Sequence, residues 1–321
     1  MFDVRPVFNV IGLLVSCLGL TMMFPMALDM SRGNGHAGVF LESALITCLT
    51  GSMMYLATRR EAARGLTLQQ TFLLTSGVWL ALPIFGALPF ALGATDSSFT
   101  DAFFEAMSGL TTTGATVISG LDYLPDGLLL WRSILQWLGG IGIIVVAMVF
   151  LPELRVGGMQ IFKSEGFDTF GKILPRATEI AAQVAWLYVG LTGACAVIYI
   201  ATGMRSFDAV LHAMTTIATG GFSTYDSSFV KFGASTEYAA VVFMCLAALP
   251  FVRYVQLING APGSLFQDSQ VRVFFIVLLV TVGFLTLVLW QGYQFSGELG
   301  FRKALFNVVS IITGTGYASA D

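Results

Sequence analysis

Residues 101–116 read DAFFEAMSGLTTTGAT, a short apolar helix pattern that ends in threonines and a glycine. The pattern occurs twice more without gaps, as DAVLHAMTTIATGGFS at 208–223 and as KALFNVVSIITGTGYA at 303–318. Gly114, Gly221 and Gly316 occupy one column of this alignment. An internal repeat of this kind indicates that one structural unit is built several times in the chain.

The composition indicates an all-α polytopic membrane protein. Of the 321 residues, 56% are hydrophobic and 11% are charged, whereas soluble domains carry about 25% charged residues. The mean hydropathy is +0.80, which points to spans in contact with membrane lipid. The 16 Lys and Arg residues are scattered, which argues against nucleic acid as a partner. The two histidines, His36 and His212, are far apart in sequence, which argues against a His-based metal site.

Seven apolar blocks are long enough to cross a membrane, which takes about 20 residues. They are 7–28, 38–58, 67–92, 127–151, 181–202, 237–258 and 271–291. Three apolar stretches, 99–112, 206–219 and 302–313, are too short to span and suit re-entrant or interfacial helices.

Basic residues predict the orientation of the spans, since they favour the cytoplasmic side. They cluster after the second block, between the fourth and fifth, and before the seventh: Arg59, Arg60, Arg64, Arg155, Lys163, Lys172, Arg176 and Arg272. With these inside, the N-terminus and Arg5 are cytoplasmic and all three short stretches face outward. The repeats are therefore parallel, whereas the inverted repeats of many secondary transporters alternate in orientation.

Glycine and threonine after a short helix predict a backbone that binds a cation. Non-helical backbone at membrane depth is tolerated where it lines a water-filled path, and rings of carbonyls can replace the hydration shell of a monovalent cation. Glycine permits the backbone angles that such a turn needs, and threonine adds a hydroxyl oxygen. The alternative role for glycine is close helix packing, which we expect for WLGGIGIIV at 137–145.

A polar column lies nine residues before the repeated glycine and contains Glu105, His212 and Asn307. These side chains are either a second ring of ion ligands or groups that bond neighbouring loops in a partly wet outer region. The second interpretation is favoured, because the three residue types differ.

The segments TTTGAT, IATGGFST and TGTGYAS resemble the selectivity filters of the Trk/Ktr/HKT potassium transporter superfamily. WRSILQWLGGIGIIVVAMVFLPELRVGGMQIF at 131–162 resembles the first repeat of its TrkH-type subunit, and PRATEIAAQVAWLYVGLTGACAV with SFDAVLHAMTTIATGGFST resembles the second. The resemblance implies helix–pore loop–helix repeats around a pseudo-fourfold pore, preceded by two extra transmembrane helices. Together with the physics of the turns, it implies potassium binding at Thr112, Thr113, Gly114, Thr219, Gly220, Gly221, Gly314, Thr315 and Gly316.

The resemblance also predicts how the chain is divided. It implies a two-helix preface at 1–65, a first repeat at 66–165, a second at 166–265 and a partial third at 266–321, with the fourth repeat absent. Three quarters of a carbonyl ring should dehydrate potassium poorly. The expectation is therefore that this polypeptide does not conduct alone and is a truncated or incomplete product, or one part of a split subunit.

The implied function is potassium uptake across the bacterial inner membrane, with K⁺ as the transported ion, no organic cofactor and no enzymatic step. The implied partners are a second copy in a homodimer and a cytosolic nucleotide-binding regulatory subunit similar to TrkA.

Three alternatives to this function remain. A secondary transporter would need inverted halves and a mid-membrane charge. An intramembrane enzyme would need a nucleophile–base pair, but capping explains Asp101 and Asp208, and His212 has no evident Ser or Cys partner. A non-conducting fragment is the third.

Overall fold

The computed structural model describes residues 3–59, 66–150, 177–261, 263–291 and 297–320. Six basic residues that predict the orientation lie outside the described residues: Arg60, Arg64, Arg155, Lys163, Lys172 and Arg176. In the described part of the chain the regular structure is helical throughout. The α-helices are α1 Arg5–Thr21, α2 Met23–Arg32, α3 Ala37–Thr58, α4 Leu68–Gly86, α5 Leu88–Ala91, α6 Phe99–Leu110, α7 Asp126–Phe150, α8 Ala177–Ala201, α9 Ser206–Ile217, α10 Ala234–Ala248, α11 Phe251–Ile258, α12 Gly263–Phe266, α13 Ser269–Gln291 and α14 Gly297–Ile312.

Five predicted spans are matched by long apolar helices and the span 237–258 needs a correction, while the predicted span 127–151 corresponds to α7, which is not counted among the candidate spans. Among the described residues, 5 helices are long and apolar enough to cross a membrane, or up to 6 if a bent pair counts as one span. That pair is α10 and α11, and the predicted continuous span over 237–258 is therefore wrong. The two helices meet at an angle of 87°. The break lies at Leu249 and Pro250, because proline has no N–H to donate and holds the residue before it in an extended conformation.

The three short apolar stretches are helices, as predicted. Helices α6 and α9 have 12 residues each. Helix α14 has 16 residues and begins at Gly297, earlier than the predicted 302. At 1.5 Å per residue, even α14 is about 24 Å long, short of the hydrocarbon core of about 30 Å.

Residues 1–111 and 115–138 form one of two compact units. Glycines allow α1 and α3 to approach closely in this unit. A Cβ added to Gly12 would lie 2.6 Å from the backbone nitrogen of Tyr55, and one added to Gly51 would lie 2.6 Å from that of Ser16. Small residues at such contacts are typical of helix packing in membranes.

Residues 112–114 and 139–321 form the second compact unit. Its core contains Phe229, which is fully buried. The ring of Phe229 lies 4.5 Å from that of Tyr317, 5.1 Å from that of Phe306 and 5.4 Å from that of His212, centroid to centroid. The cluster therefore joins α9, α14 and the segment after α14. Of the glycines at 137–145, Gly140 lies at a close contact, where an added Cβ would lie 2.6 Å from the Tyr188 hydroxyl, whereas one added to Gly142 would meet no described atom within 4 Å.

Candidate ion-binding site

Each short helix ends in a turn with the same backbone conformation. The first left-handed residue is Thr112, Thr219 or Gly314, with φ of 54°, 51° and 77°. Two residues later comes the repeated glycine, Gly114, Gly221 or Gly316, with φ of 79°, 74° and 85°. The residue between them is not left-handed in any copy, so the handedness of the backbone alternates along each turn.

Two of these left-handed residues are threonines, for which the conformation is costly. A left-handed residue with a Cβ costs about 1–2 kcal/mol, and a β-branched side chain is among the least suited to it. Thr112 and Thr219 nevertheless hold it at equivalent positions. Local strain of this kind persists where the surrounding structure enforces it, and it clusters at functional sites.

The turns direct their amide groups back toward the helix that precedes them. Gly221 donates its N–H to the carbonyl of Thr215 at 3.4 Å, and Gly316 donates to the carbonyl of Ser310 at 3.2 Å. The two bonds occupy equivalent positions. Because N–H and C=O of a trans peptide point in opposite directions, the carbonyls of Gly220 and Thr315 point away from their helix ends.

Those two carbonyls mark where the three turns converge within the second unit. A Cβ added to Gly114 would collide with the carbonyl oxygen of Gly220, and one added to Gly221 would collide with that of Thr315. The Cβ on Gly114 would also lie 3.6 Å from the Thr315 oxygen. The three turns therefore approach one another in chain order, with backbone facing backbone. Among the described residues, no atom lies within 4 Å of a Cβ added to Gly314 or Gly316.

The nine predicted ion-binding residues lie on these turns. Thr112, Thr113 and Gly114 belong to the first, Thr219, Gly220 and Gly221 to the second, and Gly314, Thr315 and Gly316 to the third. Three threonine hydroxyls in this region bond locally. Thr219 donates to the carbonyl of Ala218 at 2.7 Å, and the hydroxyls of Thr313 and Thr315 lie 2.8 Å apart.

The polar column before the turns holds the segments that follow them. Glu105 accepts hydrogen bonds from the Thr116 hydroxyl at 2.9 Å and from the Val117 N–H at 3.1 Å. Asn307 donates to the Ser319 hydroxyl at 3.1 Å and accepts from the Ser319 N–H at 3.2 Å. These contacts support the loop-bonding interpretation. The predicted wet surroundings are wrong for Glu105 and His212, both of which are fully buried.

His212 makes the equivalent contact in the second repeat, and here a prediction fails. Its Nε2 lies 3.0 Å from the hydroxyl of Ser223, so the histidine does have a serine partner. Its Nδ1 lies 2.8 Å from the carbonyl oxygen of Asp208. The pair matches Glu105 with Thr116 and Asn307 with Ser319, which indicates a structural link between helix and returning segment. The sequence offered no cue, because the two residues are neighbours only after the turn folds back.

Capping explains only one of the two aspartates. The Ser98 hydroxyl caps α6 by accepting the Asp101 N–H at 3.2 Å, and it donates to the Asp101 carboxylate at 2.7 Å. Asp208 instead accepts from the Thr224 hydroxyl at 2.9 Å and the Tyr225 hydroxyl at 2.8 Å, and it pairs with Arg205 at 2.7 Å. Burial raises the pKa of Asp208, but the bonds from Arg205, Tyr225 and Thr224 outweigh it and hold the pKa below its ordinary value.

Two buried ion pairs near the turns were missed by the sequence analysis. Arg132 lies 2.8 Å from Glu105, and Lys303 lies 2.8 Å from Glu237. Lys303 also donates to the carbonyl of Ser319, and it occupies the column of Asp101 and Asp208. Arg132 could have been found, because a charge inside the predicted span 127–151 is itself a functional signal.

The fold and the site together define a polytopic membrane protein with short re-entrant helices and converging glycine turns. A family model described as TrkH, a cation transport protein, matches residues 36–321. The chain belongs to this TrkH family of cation transport proteins.

Similar proteins are known by sequence and by structure. The chain is 38% identical to the Trk system potassium uptake protein TrkI of Halomonas elongata, over 98% of this chain and 64% of that protein. It is 37% identical to the TrkH protein of Escherichia coli K12, over 98% of this chain and 66% of that protein. The crystal structure of the potassium transporter TrkH from Vibrio parahaemolyticus superposes with a TM-score of 0.88 at 33% identity, covering 99% of this chain and 66% of that one. The chain thus spans about two thirds of the length of these relatives.

Proposed function

We propose that the three turns form part of a filter that passes potassium across the membrane. The observation that carries this proposal is the convergence of three turns of identical handedness, Gly114 against the Gly220 carbonyl and Gly221 against the Thr315 carbonyl. Inward-facing backbone oxygens can replace the water around a monovalent cation. The names of the relatives, which are potassium uptake proteins, make potassium the expected ion.

The ligands in this proposal are backbone oxygens of the nine turn residues, with K⁺ as cargo and no organic cofactor. The chemistry is dehydration and rehydration, with no covalent step. The short helices end at the turns, so their C-terminal carbonyls carry the negative end of the helix dipole toward the ion. An inside-negative membrane potential would add about 2.3 kcal/mol per charge per 100 mV to inward movement.

The proposed architecture is a set of parallel repeats, with the first at 66–165, the second at 166–265 and the third beginning at 266, after a two-helix preface at 1–65. Because no described atom lies within 4 Å of a Cβ added to Gly314 or Gly316, a further segment of the same kind could lie there and complete the ring of carbonyls. We propose that complete dehydration of potassium requires that segment.

The surroundings of the protein are proposed on the same basis. The distribution of basic residues favours a cytoplasmic N-terminus, and a potassium uptake role favours the bacterial inner membrane. The family resemblance suggests a homodimer regulated by a cytosolic nucleotide-binding subunit similar to TrkA. Pull-down of such a subunit with the purified protein, with and without nucleotide, would test this part separately.

The direct test is ion flux in liposomes from protein that includes the further, ring-completing segment, with two matched glycine variants. Gly114→Ser places a side chain against the Gly220 carbonyl. Gly120→Ser changes a glycine of similar φ, 79° against 74°, around which an added Cβ meets no described atom within 4 Å. We expect Gly114→Ser to abolish potassium flux and Gly120→Ser to retain it. Equal flux from Gly114→Ser and the unmodified protein would refute the filter.

A further inference from the structure

Tyr317 follows directly after the third repeated glycine, and its side chain reaches into the second repeat. The residue is 2% exposed. Its hydroxyl lies within hydrogen-bonding distance of the Thr215 hydroxyl, 3.2 Å from the Thr216 hydroxyl and 3.2 Å from the carbonyl oxygen of His212. All three partners belong to α9, the helix that leads into the second turn. One phenolic group thus joins the third turn to the helix of the second.

The backbone around Tyr317 is held from both repeats as well. Within its own repeat, the Ser310 hydroxyl donates to the Tyr317 carbonyl at 2.7 Å. From the second repeat, the Phe229 N–H donates to the carbonyl of Ala318 at 2.9 Å, and the Ser228 hydroxyl accepts the Ala318 N–H at 3.2 Å. The segment leaving the third turn therefore has little freedom to move relative to the second repeat.

Packing and a second hydroxyl reinforce this connection. The Tyr317 ring lies 4.5 Å from that of Phe229, centroid to centroid. Thr216, which contacts the Tyr317 hydroxyl, also lies 2.9 Å from the hydroxyl of Tyr199 on α8. A fully buried chain of hydroxyls thus runs from the third turn to a membrane-spanning helix. Chains of hydrogen bonds in a buried setting rigidify the groups that they join.

Tyr317 stands alone in its column. The equivalent residues of the first and second repeats are Ala115 and Phe222, neither of which carries a hydroxyl. The repeated architecture of helix and turn therefore does not require a tyrosine here. Its hydroxyl lies near the contact between the second and third turns, where the Thr315 carbonyl faces Gly221.

We propose that Tyr317 is a specificity-determining positioning residue, which fixes the separation between the second and third turns and thereby favours potassium over sodium. This inference rests on the proposed filter. In the snug-fit account of ion filters, K⁺ is preferred because the carbonyls cannot close around the smaller Na⁺. With the hydroxyl in place, the Thr315 carbonyl cannot follow sodium inward. Without it, the turns can contract around the smaller ion.

Tyr317→Phe tests this proposal, because it removes the hydroxyl and keeps the ring packed on Phe229. Apparent affinities for K⁺ and Na⁺ are measured as the rise in melting temperature of purified protein with each salt, since an ion that binds the folded state stabilises it. The flux of both ions is measured in liposomes. We expect the preference for K⁺ over Na⁺ to fall by up to about tenfold, because the net worth of one hydrogen bond limits how far its loss can shift the balance between the two ions, with sodium binding strengthened.

Two further variants distinguish selectivity from general destabilisation. Tyr254→Phe removes another shielded tyrosine hydroxyl, which donates to the Leu246 carbonyl at 2.8 Å in the bent helix pair. It should leave the ion preference unchanged. Thr215→Val removes a partner of the Tyr317 hydroxyl and should lower the preference as Tyr317→Phe does, with no further loss when the two changes are combined. This variant carries the test if Tyr317→Phe does not fold.

The outcomes separate this inference from the proposed function. If the unmodified protein prefers K⁺ and Tyr317→Phe prefers it equally, the filter stands and the role of Tyr317 is overturned. An equal loss of preference in Tyr254→Phe would overturn it too. If the unmodified protein, with the ring-completing segment present, neither binds nor carries K⁺, the proposed function fails and this inference fails with it.

Discussion

The guanidinium of Arg132 lies 2.8 Å from the carboxylate of Glu105, and the two side chains are only 2% and 0% exposed. Glu105 also accepts the Val117 N–H, so the pair fixes the segment that leaves the first turn. The equivalent positions in the other repeats, His212 and Asn307, hold their returning segments without a formal charge pair. At this column only the first repeat has a charge pair, whereas the pairs Asp208–Arg205 and Lys303–Glu237 of the other repeats lie one helical turn earlier, in the column of Asp101.

Breaking this pair should be costly. Arg132→Met leaves Glu105 as a buried charge without its cation, which typically costs about 3–5 kcal/mol. Combining it with Glu105→Gln should recover part of the loss, because the amide oxygen can still accept the Val117 N–H. Thermal and denaturant unfolding in detergent would measure both.

A solvent-exposed ion pair provides the control for Arg132. Arg32 lies 3.0 Å from Asp126, with side chains 53% and 32% exposed. Arg32→Met should cost less than about 1 kcal/mol, since exposed pairs contribute little. Similar losses of stability in the two arginine variants would contradict the prediction that the buried Arg132–Glu105 pair contributes more than the exposed Arg32–Asp126 pair.

A second prediction compares two left-handed glycines of the second unit. Gly221 and Gly203 have φ of 74° and 100°, so alanine at either position incurs about 1–2 kcal/mol of backbone strain. Only at Gly221 would the added Cβ collide with another turn, at the Thr315 carbonyl. We expect potassium flux to be lost in Gly221→Ala and retained in Gly203→Ala. If both variants lose potassium flux, backbone strain alone would explain the loss in Gly221→Ala.

A third prediction exchanges residues between equivalent columns. Thr219 is left-handed with φ of 51°, and the third repeat has Gly314 at the same position. Thr219→Gly should therefore retain transport. Its stability should change by less than about 1 kcal/mol, because relief of strain is offset by the greater freedom of glycine in the unfolded chain. Abolished flux in this variant would show that the Thr219 hydroxyl is required.

The turns and short helices could be predicted from the sequence because the same local pattern occurs three times in the chain. Glycine at the shared column indicates the left-handed conformation, and a 12-residue apolar stretch indicates a helix that cannot span. These are local properties, which composition and spacing determine directly.

The contacts behind the turns could not be predicted in the same way. Ser223 reaches His212, and Tyr317 reaches Thr215, only after the chain has folded back across a turn or between repeats. The break between α10 and α11 is an intermediate case. Pro250 lies within the predicted span 237–258, whose apolar length favours one continuous helix although the proline has no N–H to donate.

The last prediction concerns how the stability contributed by Asp208 depends on pH. Its pKa in the folded protein lies below the ordinary value of 3.8, because the bonds from Arg205, Tyr225 and Thr224 outweigh the effect of burial. The stabilisation is therefore complete above the unfolded pKa and is lost as the pH falls through the folded pKa. Asp208→Asn should cost about 1–3 kcal/mol near pH 7, and its difference from the unmodified protein should shrink as the pH falls below about 4.

Asp101→Asn is the matched control, since Asp101 occupies the same column of the first repeat but is exposed, and its carboxylate accepts from the Ser98 hydroxyl at the helix cap. Melting temperatures of the unmodified protein and the two variants, measured from about pH 7 to about pH 3, would show whether the charge of Asp208 stabilises the fold. A deficit in Asp208→Asn that stays constant over this range would mean that the aspartate acts through shape rather than charge. In that case the carboxylate would not be what holds Thr224 and Tyr225 behind the second turn.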